Sequence, residues 1–202
     1  EVRFYRSDIQ GLCDSLHYSS RDSMVYMIGD PVLWNDNNQI LGDQIHLFLN
    51  DSTLEKALIK DYALAVQDRL IEQQYNQLSG RDMTAYFRDG DLYHVLVEGN
   101  AESLYYLVEK DSTVIGLNKT ESAYISMDIE KKQIKRLKLW SSTKTVTTPL
   151  QQLKPEDARL EGFLWLDYLR PTGPRDIFRS NKRRTSEATE ARPRRFQRED
   201  VT

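Results

Sequence analysis

The sequence predicts an all-β fold, a folded-over antiparallel β-jelly-roll built from repeated two-strand units. Three observations predict it. Eleven Tyr and many Val, Ile and Thr residues favour strands. Four segments stack on one pattern, a small residue, two polar residues and then alternation, and such self-similarity marks a repeat architecture. Each alternating segment then meets a cluster of Asn, Asp, Ser or Gly, residues that hydrogen-bond locally or tolerate positive φ and so form turns.

The four openings are Cys13-Asp14-Ser15-Leu16-His17-Tyr18, Gly42-Asp43-Gln44-Ile45-His46-Leu47, Gly80-Arg81-Asp82-Met83-Thr84-Ala85 and Thr120-Glu121-Ser122-Ala123-Tyr124-Ile125. Period-two alternation with one apolar face is the mark of a half-buried strand. The first unit places Leu16 and Tyr18 on that face, turns at residues 20–23, and returns through Val25 and Met27 to Gly29-Asp30. The second places Ile45, Leu47 and Leu49, turns at 50–53, and returns through Leu54, Ala57 and Ile59 to Lys60-Asp61. The third places Met83, Ala85 and Phe87, turns at 88–91, and returns through Leu92, Val95 and Val97 to Gly99-Asn100. The fourth places Ala123, Ile125 and Met127, turns at 128–131, and returns through Ile134, Leu137 and Leu139 to Trp140-Ser141. In the last three units the return spacing i, i+3, i+5 breaks alternation beside the turn. A β-bulge or a slightly long hairpin loop restores a common inward face.

The small residues lie 29, 38 and 40 positions apart, and an insert at 67–74, a short helix or a loop, accounts for part of the third unit's extra length. Units of this size cannot bury their apolar faces alone, so they pair into one layer. A β-solenoid and a folded-over antiparallel sheet both satisfy the pattern; short polar turns favour the antiparallel form, because parallel pairing needs longer crossovers. The repeats occupy residues 1–148. Residues 149–178 form a capping segment: a short acidic helical turn at Pro155–Leu160, then the apolar run Gly162–Leu169 and the stop Arg170-Pro171-Thr172-Gly173-Pro174. This segment is expected to pack across the open end of the last repeat, with Phe163 and Trp165 either core residues or a docking element. Residues 179–202 carry eight basic and four acidic side chains and read as a disordered basic tail. The tail is net +4 within a chain of net −3, which leaves −7 on the rest. An acidic body argues against nucleic-acid binding, and the tail reads either as a solvated terminus or as a contact for an anionic partner.

No stretch approaches the ~18 consecutive apolar residues of a membrane-spanning helix. A start at Glu1, without Met or a leader-like segment, is expected of a processed chain or a fragment. The single Cys13 excludes an internal disulfide framework and a thiolate zinc site. His17 and His46 share a slot opposite the apolar positions and read as solvent-facing strand residues rather than a two-His metal site. Asp14 and Asp43 share another slot, which becomes Arg81 and Glu121 later, so a carboxylate pair for glycoside hydrolysis is not maintained. No Gly-rich phosphate loop, Gly-x-Ser-x-Gly elbow or His-Glu-x-x-His occurs. No catalytic residue, metal ligand or cofactor is therefore assigned. The inward positions could fill a closed core or, in an open groove, accept acyl chains through non-directional apolar contact.

The runs at 39–45 (Gln-Ile-Leu-Gly-Asp-Gln-Ile), 78–87 (Leu-Ser-Gly-Arg-Asp-Met-Thr-Ala-Tyr-Phe) and 97–106 (Val-Glu-Gly-Asn-Ala-Glu-Ser-Leu-Tyr-Tyr) resemble the OstA-like family. That family includes the periplasmic lipopolysaccharide-transport protein LptA and the N-terminal domain of LptD. The closing Leu160–Trp165 segment with Arg170-Pro171 resembles the C-terminal end of longer OstA-like proteins. The resemblance covers residues 1–148 and implies a jelly-roll holding lipid A acyl chains of lipopolysaccharide between its walls. It implies modules joined edge to edge by strand pairing, a periplasmic location with outer-membrane association as an open alternative, and no catalytic residues. The groove lining it implies is the inward set named above: Leu16, Tyr18, Val25, Met27, Ile45, Leu47, Leu49, Ala57, Ile59, Met83, Ala85, Phe87, Val95, Val97, Ala123, Ile125, Met127, Leu137 and Leu139. The competing expectation is a structural β-repeat scaffold with a closed core.

Overall fold

A computed structural model describes residues 1–50, 53–71, 73–109 and 113–178. The chain forms one antiparallel 15-stranded sheet folded over on itself into two facing layers. Layer A holds β1 (Val2–Tyr5), β2 (Gln10–Cys13), β5 (Val32–Asn35), β6 (Asn38–Leu41), β9 (Ala63–Asp68), β10 (Tyr75–Gly80) and β15 (Lys144–Pro149). Layer B holds β3 (Ser15–Ser19), β4 (Met24–Ile28), β7 (Gln44–Asn50), β8 (Thr53–Lys60), β11 (Asp82–Arg88) and β14 (Gln133–Trp140). Two long strands, β12 (Asp91–Val108) and β13 (Val114–Glu130), run through both layers and join them.

The fold edge is made by corners that repeat with the sequence. At each one the residue after the small residue donates its amide to a carbonyl of the neighbouring return strand. Asp14 bonds Gly29 (3.0 Å), Asp43 bonds Asp61 (3.0 Å), Arg81 bonds Gly99 (2.8 Å) and Ala123 bonds Ser141 (3.0 Å). The return strands turn the same edge through pairs of residues at positive φ: Gly29-Asp30, Asp61-Tyr62, Gly99-Asn100 and Ser141-Ser142. These dipeptides carry the chain from layer B into layer A; in the second and fourth units they sit one residue beyond the positions expected from sequence. In the second and third units packing requires glycine there. A Cβ on Gly42 would lie 2.4 Å from Ile59 Cγ2, and one on Gly80 would lie 2.4 Å from Val97 Cγ1.

Register shifts interrupt the pairing beside three turns, between Phe48 and Leu49, Tyr86 and Phe87, and Asp128 and Ile129. They are the irregularities that the i, i+3, i+5 spacing predicts. Residues 69–71, 73 and 74 of the insert carry neither strand nor helix.

Three expectations are corrected. The two-strand unit is half of the repeat, because hairpins β5–β6, β9–β10 and the Ala101–Ser122 hairpin of β12–β13 build layer A. The fourth unit is offset by two residues: its corner is Ser122-Ala123, its strand runs through Glu130, and its turn is Lys131-Lys132 rather than 128–131. Thr120 resembles the small opening residue but pairs inside layer A with Thr145. The closing segment does not cover the open end. It crosses the outer face of layer A instead, packing Leu166, Leu169, Phe163 and Trp165 on Leu12, Trp34, Leu64 and Val66, and Ala158 and Leu160 near Leu104, Tyr106 and Leu117. The expectation for residues 179–202 lies outside the described residues.

Candidate functional site: the cleft between the layers

Side chains of one face of layer B form three rows, two of which cross all its strands. Nearest the corners, Leu16, Met27, Ile45, Ile59, Met83, Val97, Ile125 and Leu139 are successive cross-strand neighbours. The middle row is Tyr18, Val25, Leu47, Ala57, Ala85, Val95, Met127 and Leu137. The outer row pairs Leu49 with Leu54, Phe87 with Leu92, and Ile129 with Ile134. Of the sequence-assigned lining, only Ala123 falls outside these rows; it sits at the corner that the two-residue offset displaced.

Burial varies along the rows. Met27, Ile45, Ile59, Val97 and Ile125 are fully enclosed against Cys13, Leu33, Ala63, Leu78 and Ala101 of layer A. Towards β14 the cleft loosens. Leu137 is 48% exposed and Ile134 41%, and Tyr18 on the opposite edge strand is 54% exposed. The cleft is thus a filled apolar core in its middle and an open apolar surface at its ends.

Layer A presents a different wall. Its inward positions turn polar away from the corners: Asn38, Gln67 and Asn76 pair in register, as do Tyr105, Asn118 and Thr147, and the two sets meet where the Tyr106 amide donates to Asn76 Oδ1 at 3.0 Å. Asn76 Nδ2 donates to Gln67 Oε1 at 2.9 Å, and Asn118 Nδ2 to Thr147 Oγ1 at 3.0 Å. Beside them Thr120 donates to Asn118 Oδ1 at 3.0 Å and meets Thr145 at 3.1 Å.

Sequence reasoning also missed the device that holds the closing segment. Gln10, Gln39 and Gln77 each lie three residues before a corner residue and are buried on the outer face of layer A. Gln77 Nε2 donates to the Ala158 carbonyl (2.9 Å) and its Oε1 accepts from the Leu160 amide (2.8 Å). Gln39 repeats this with Leu164 and Leu166, at 2.7 Å each. Gln10 Oε1 accepts from the Arg170 guanidinium at 2.8 Å. A common offset from Cys13, Gly42 and Gly80 was the available signal. Six extended residues reach ~20 Å, twice the ~10 Å between alternate strands, so the strap takes up slack in turns. One is at Gly162 with φ +75, between the Gln77 and Gln39 anchors, and one is Asp167–Leu169 (η3), between the Gln39 and Gln10 anchors.

The three histidines lie on the outer face of layer B. Tyr26 stands between His17 and His46, with ring centroids 6.0 and 4.9 Å away. Burial, with Lys60 nearby, pushes the His46 imidazole below its ordinary pKa. His94 Nδ1 meets Asp128 Oδ1 at 2.8 Å, and this bond holds the Asp128 carboxyl below the usual range. Among the described residues no group of three or more His, Cys, Asp or Glu is placed to hold a metal ion.

Among the described residues both layers end in strands paired on one side only: β1 and β3 at one end, β14 and β15 at the other. Among solved structures the chain is similar to LptH from Pseudomonas aeruginosa, described as the LptA-homologous periplasmic component of a lipopolysaccharide transport device. The likeness has a TM-score of 0.52 at 13% identity and covers 70% of this chain and 95% of that one. The fold is LptA-like. No family model and no curated protein sequence matches the chain. No helix among the described residues is long and apolar enough to cross a membrane.

Proposed function

We propose that this chain is a non-enzymatic carrier module that binds lipopolysaccharide non-covalently and passes it through the periplasm towards the outer membrane. The observation that carries the reading is the continuous apolar wall of layer B, exposed at both ends on a fold shared with a transport component. Apolar area left open at an end is costly in water at roughly 25 cal/mol per Å², and acyl chains recover that cost. The outer sides of the edge strands supply the surface for neighbouring jelly-roll modules through strand addition.

A second reading, a structural scaffold with a closed core, draws support from the filled middle of the cleft. Lipid A titrated against the full chain, followed by native mass spectrometry, separates the two. The carrier reading expects a stoichiometric adduct that competes with an apolar fluorescent probe, and the scaffold reading expects neither. Loss of the adduct on Leu137→Asp, with an unchanged unfolding midpoint, would place the lipid at the open end.

A further inference from the structure

The carrier reading assigns acyl chains to layer B and leaves the opposite wall without a role. Near the corners that wall is apolar, through Cys13, Leu33, Ala63, Leu78 and Ala101; away from them it turns polar but uncharged. Asn38, Gln67 and Asn76, then Tyr105, Asn118 and Thr147, run along the inward face of layer A, the two sets joined at the bond from the Tyr106 amide to Asn76, and none of the six bears a charge. The row faces layer B, whose inward rows are apolar and equally free of charge. Away from the corners the two walls thus differ in polarity, as a purely apolar ligand would not require and a closed core would not favour, since buried amides cost free energy unless bonded. Tyr105 is 39% exposed, and Thr147, on the end strand β15, is exposed as well, so the row is reached from solvent at the β14–β15 end where Leu137 is open. Internal bonds such as Asn118 to Thr147 use only part of the row's capacity. A side-chain amide offers two donors and two acceptor sites, and a hydroxyl one donor and two acceptor sites.

We propose that this row is the subsite for the uncharged polar part of an acylated sugar, its hydroxyls and amide linkages, while the acyl chains lie on layer B. Phosphate groups stay outside the cleft, because an uncharged wall offers no cation to offset their desolvation. The inference rests on the carrier reading and adds the chemical class of the head group and the wall that meets it.

The test uses the full chain, three probes and two variants. The probes are lipid A, the same lipid A with its phosphates removed, and a phenylnaphthylamine dye that has an apolar body and no hydroxyl. On the proposal, wild-type protein binds the two lipids within about threefold of each other. The double variant Asn118→Leu, Thr147→Val weakens both lipids about tenfold and leaves the dye unchanged, as expected for two lost neutral hydrogen bonds. Tyr105→Phe, which removes one hydroxyl and no packing, weakens both lipids severalfold and keeps the test open if the double variant fails to fold. Phosphorylated lipid binding more than tenfold tighter than its dephosphorylated form would overturn the proposal, as would variants that leave both lipids unaffected. Failure of wild-type protein to bind lipid or dye would overturn the carrier reading itself, and the inference with it.

Discussion

Gln39→Leu is the perturbation that most directly tests how the closing strap is held. The Gln39 side chain is fully buried and makes three hydrogen bonds: to the Leu164 carbonyl (2.7 Å), from the Leu166 amide (2.7 Å) and from the Trp34 indole (3.3 Å). Leucine nearly matches its volume, so the cavity contribution is small. The variant instead leaves a carbonyl and two N–H groups without partners, at about 1–3 kcal/mol each. The strap can relieve that cost by lifting off layer A, which caps the observable loss at its docking free energy. The expected loss is therefore about 3–5 kcal/mol, read by denaturant unfolding. Faster exchange of the Leu166 and Leu160 amides should accompany it. A loss below 1 kcal/mol with unchanged exchange at Leu166 would refute the glutamine ladder as the element that seats the strap.

Three further perturbations probe the corners and the outer face. Gly80→Val drives side-chain atoms into Val97, where even a Cβ would lie 2.4 Å from Cγ1, and should cost about 1–3 kcal/mol by thermal unfolding; an unchanged midpoint would show that the corner is not tightly packed. Gly99→Ala imposes a side chain at φ +77, 3.0 Å from Arg81 Cβ, and should cost about 1–2 kcal/mol; neutrality would mean that the left-handed corner relaxes freely. Lowered carboxyl and imidazole groups act in the same direction on acidification. Asp128 contributes stability above its unfolded pKa that is lost as pH falls through its depressed folded value, and His46, protonated more readily when unfolded, costs stability as pH falls below about 6.5. His94→Gln should raise the Asp128 pKa in a carboxyl-resolved NMR titration, and no change would contradict the assignment of the shift to His94.

Layer B was legible in the sequence because only one of its faces is buried. Ile45, Leu47 and Leu49 alternate with outward Gln44, His46 and Phe48, and the bulged returns still keep Val95 and Val97 in phase. Layer A hid for the opposite reason. Its outer face lies under the strap and its inner face in the cleft, so Val32-Leu33-Trp34 and Ala63-Leu64-Ala65-Val66 are apolar without alternation. The fourth unit was misplaced by two residues, a shift that preserves strand parity. Ile125 and Met127 consequently stayed on the correct face, while Ala123 fell on the corner. The closing segment reads from sequence as an end cap and instead lies on the outer face of layer A, because its position depends on contacts more than 80 residues apart in the chain, such as Gln77 with Leu160, which no local pattern encodes.

Photo-crosslinking in cells producing lipopolysaccharide tests the central claim most directly. A photoreactive residue placed at Leu137, 48% exposed on the inner wall, should yield a lipopolysaccharide adduct. One at Leu47, in the same row but enclosed, should yield less, and one at Lys138, on the outer face beside it, should yield none. Equal labelling at Leu137 and Lys138, or no adduct at Leu137 while a known lipopolysaccharide-binding control labels, would contradict the account.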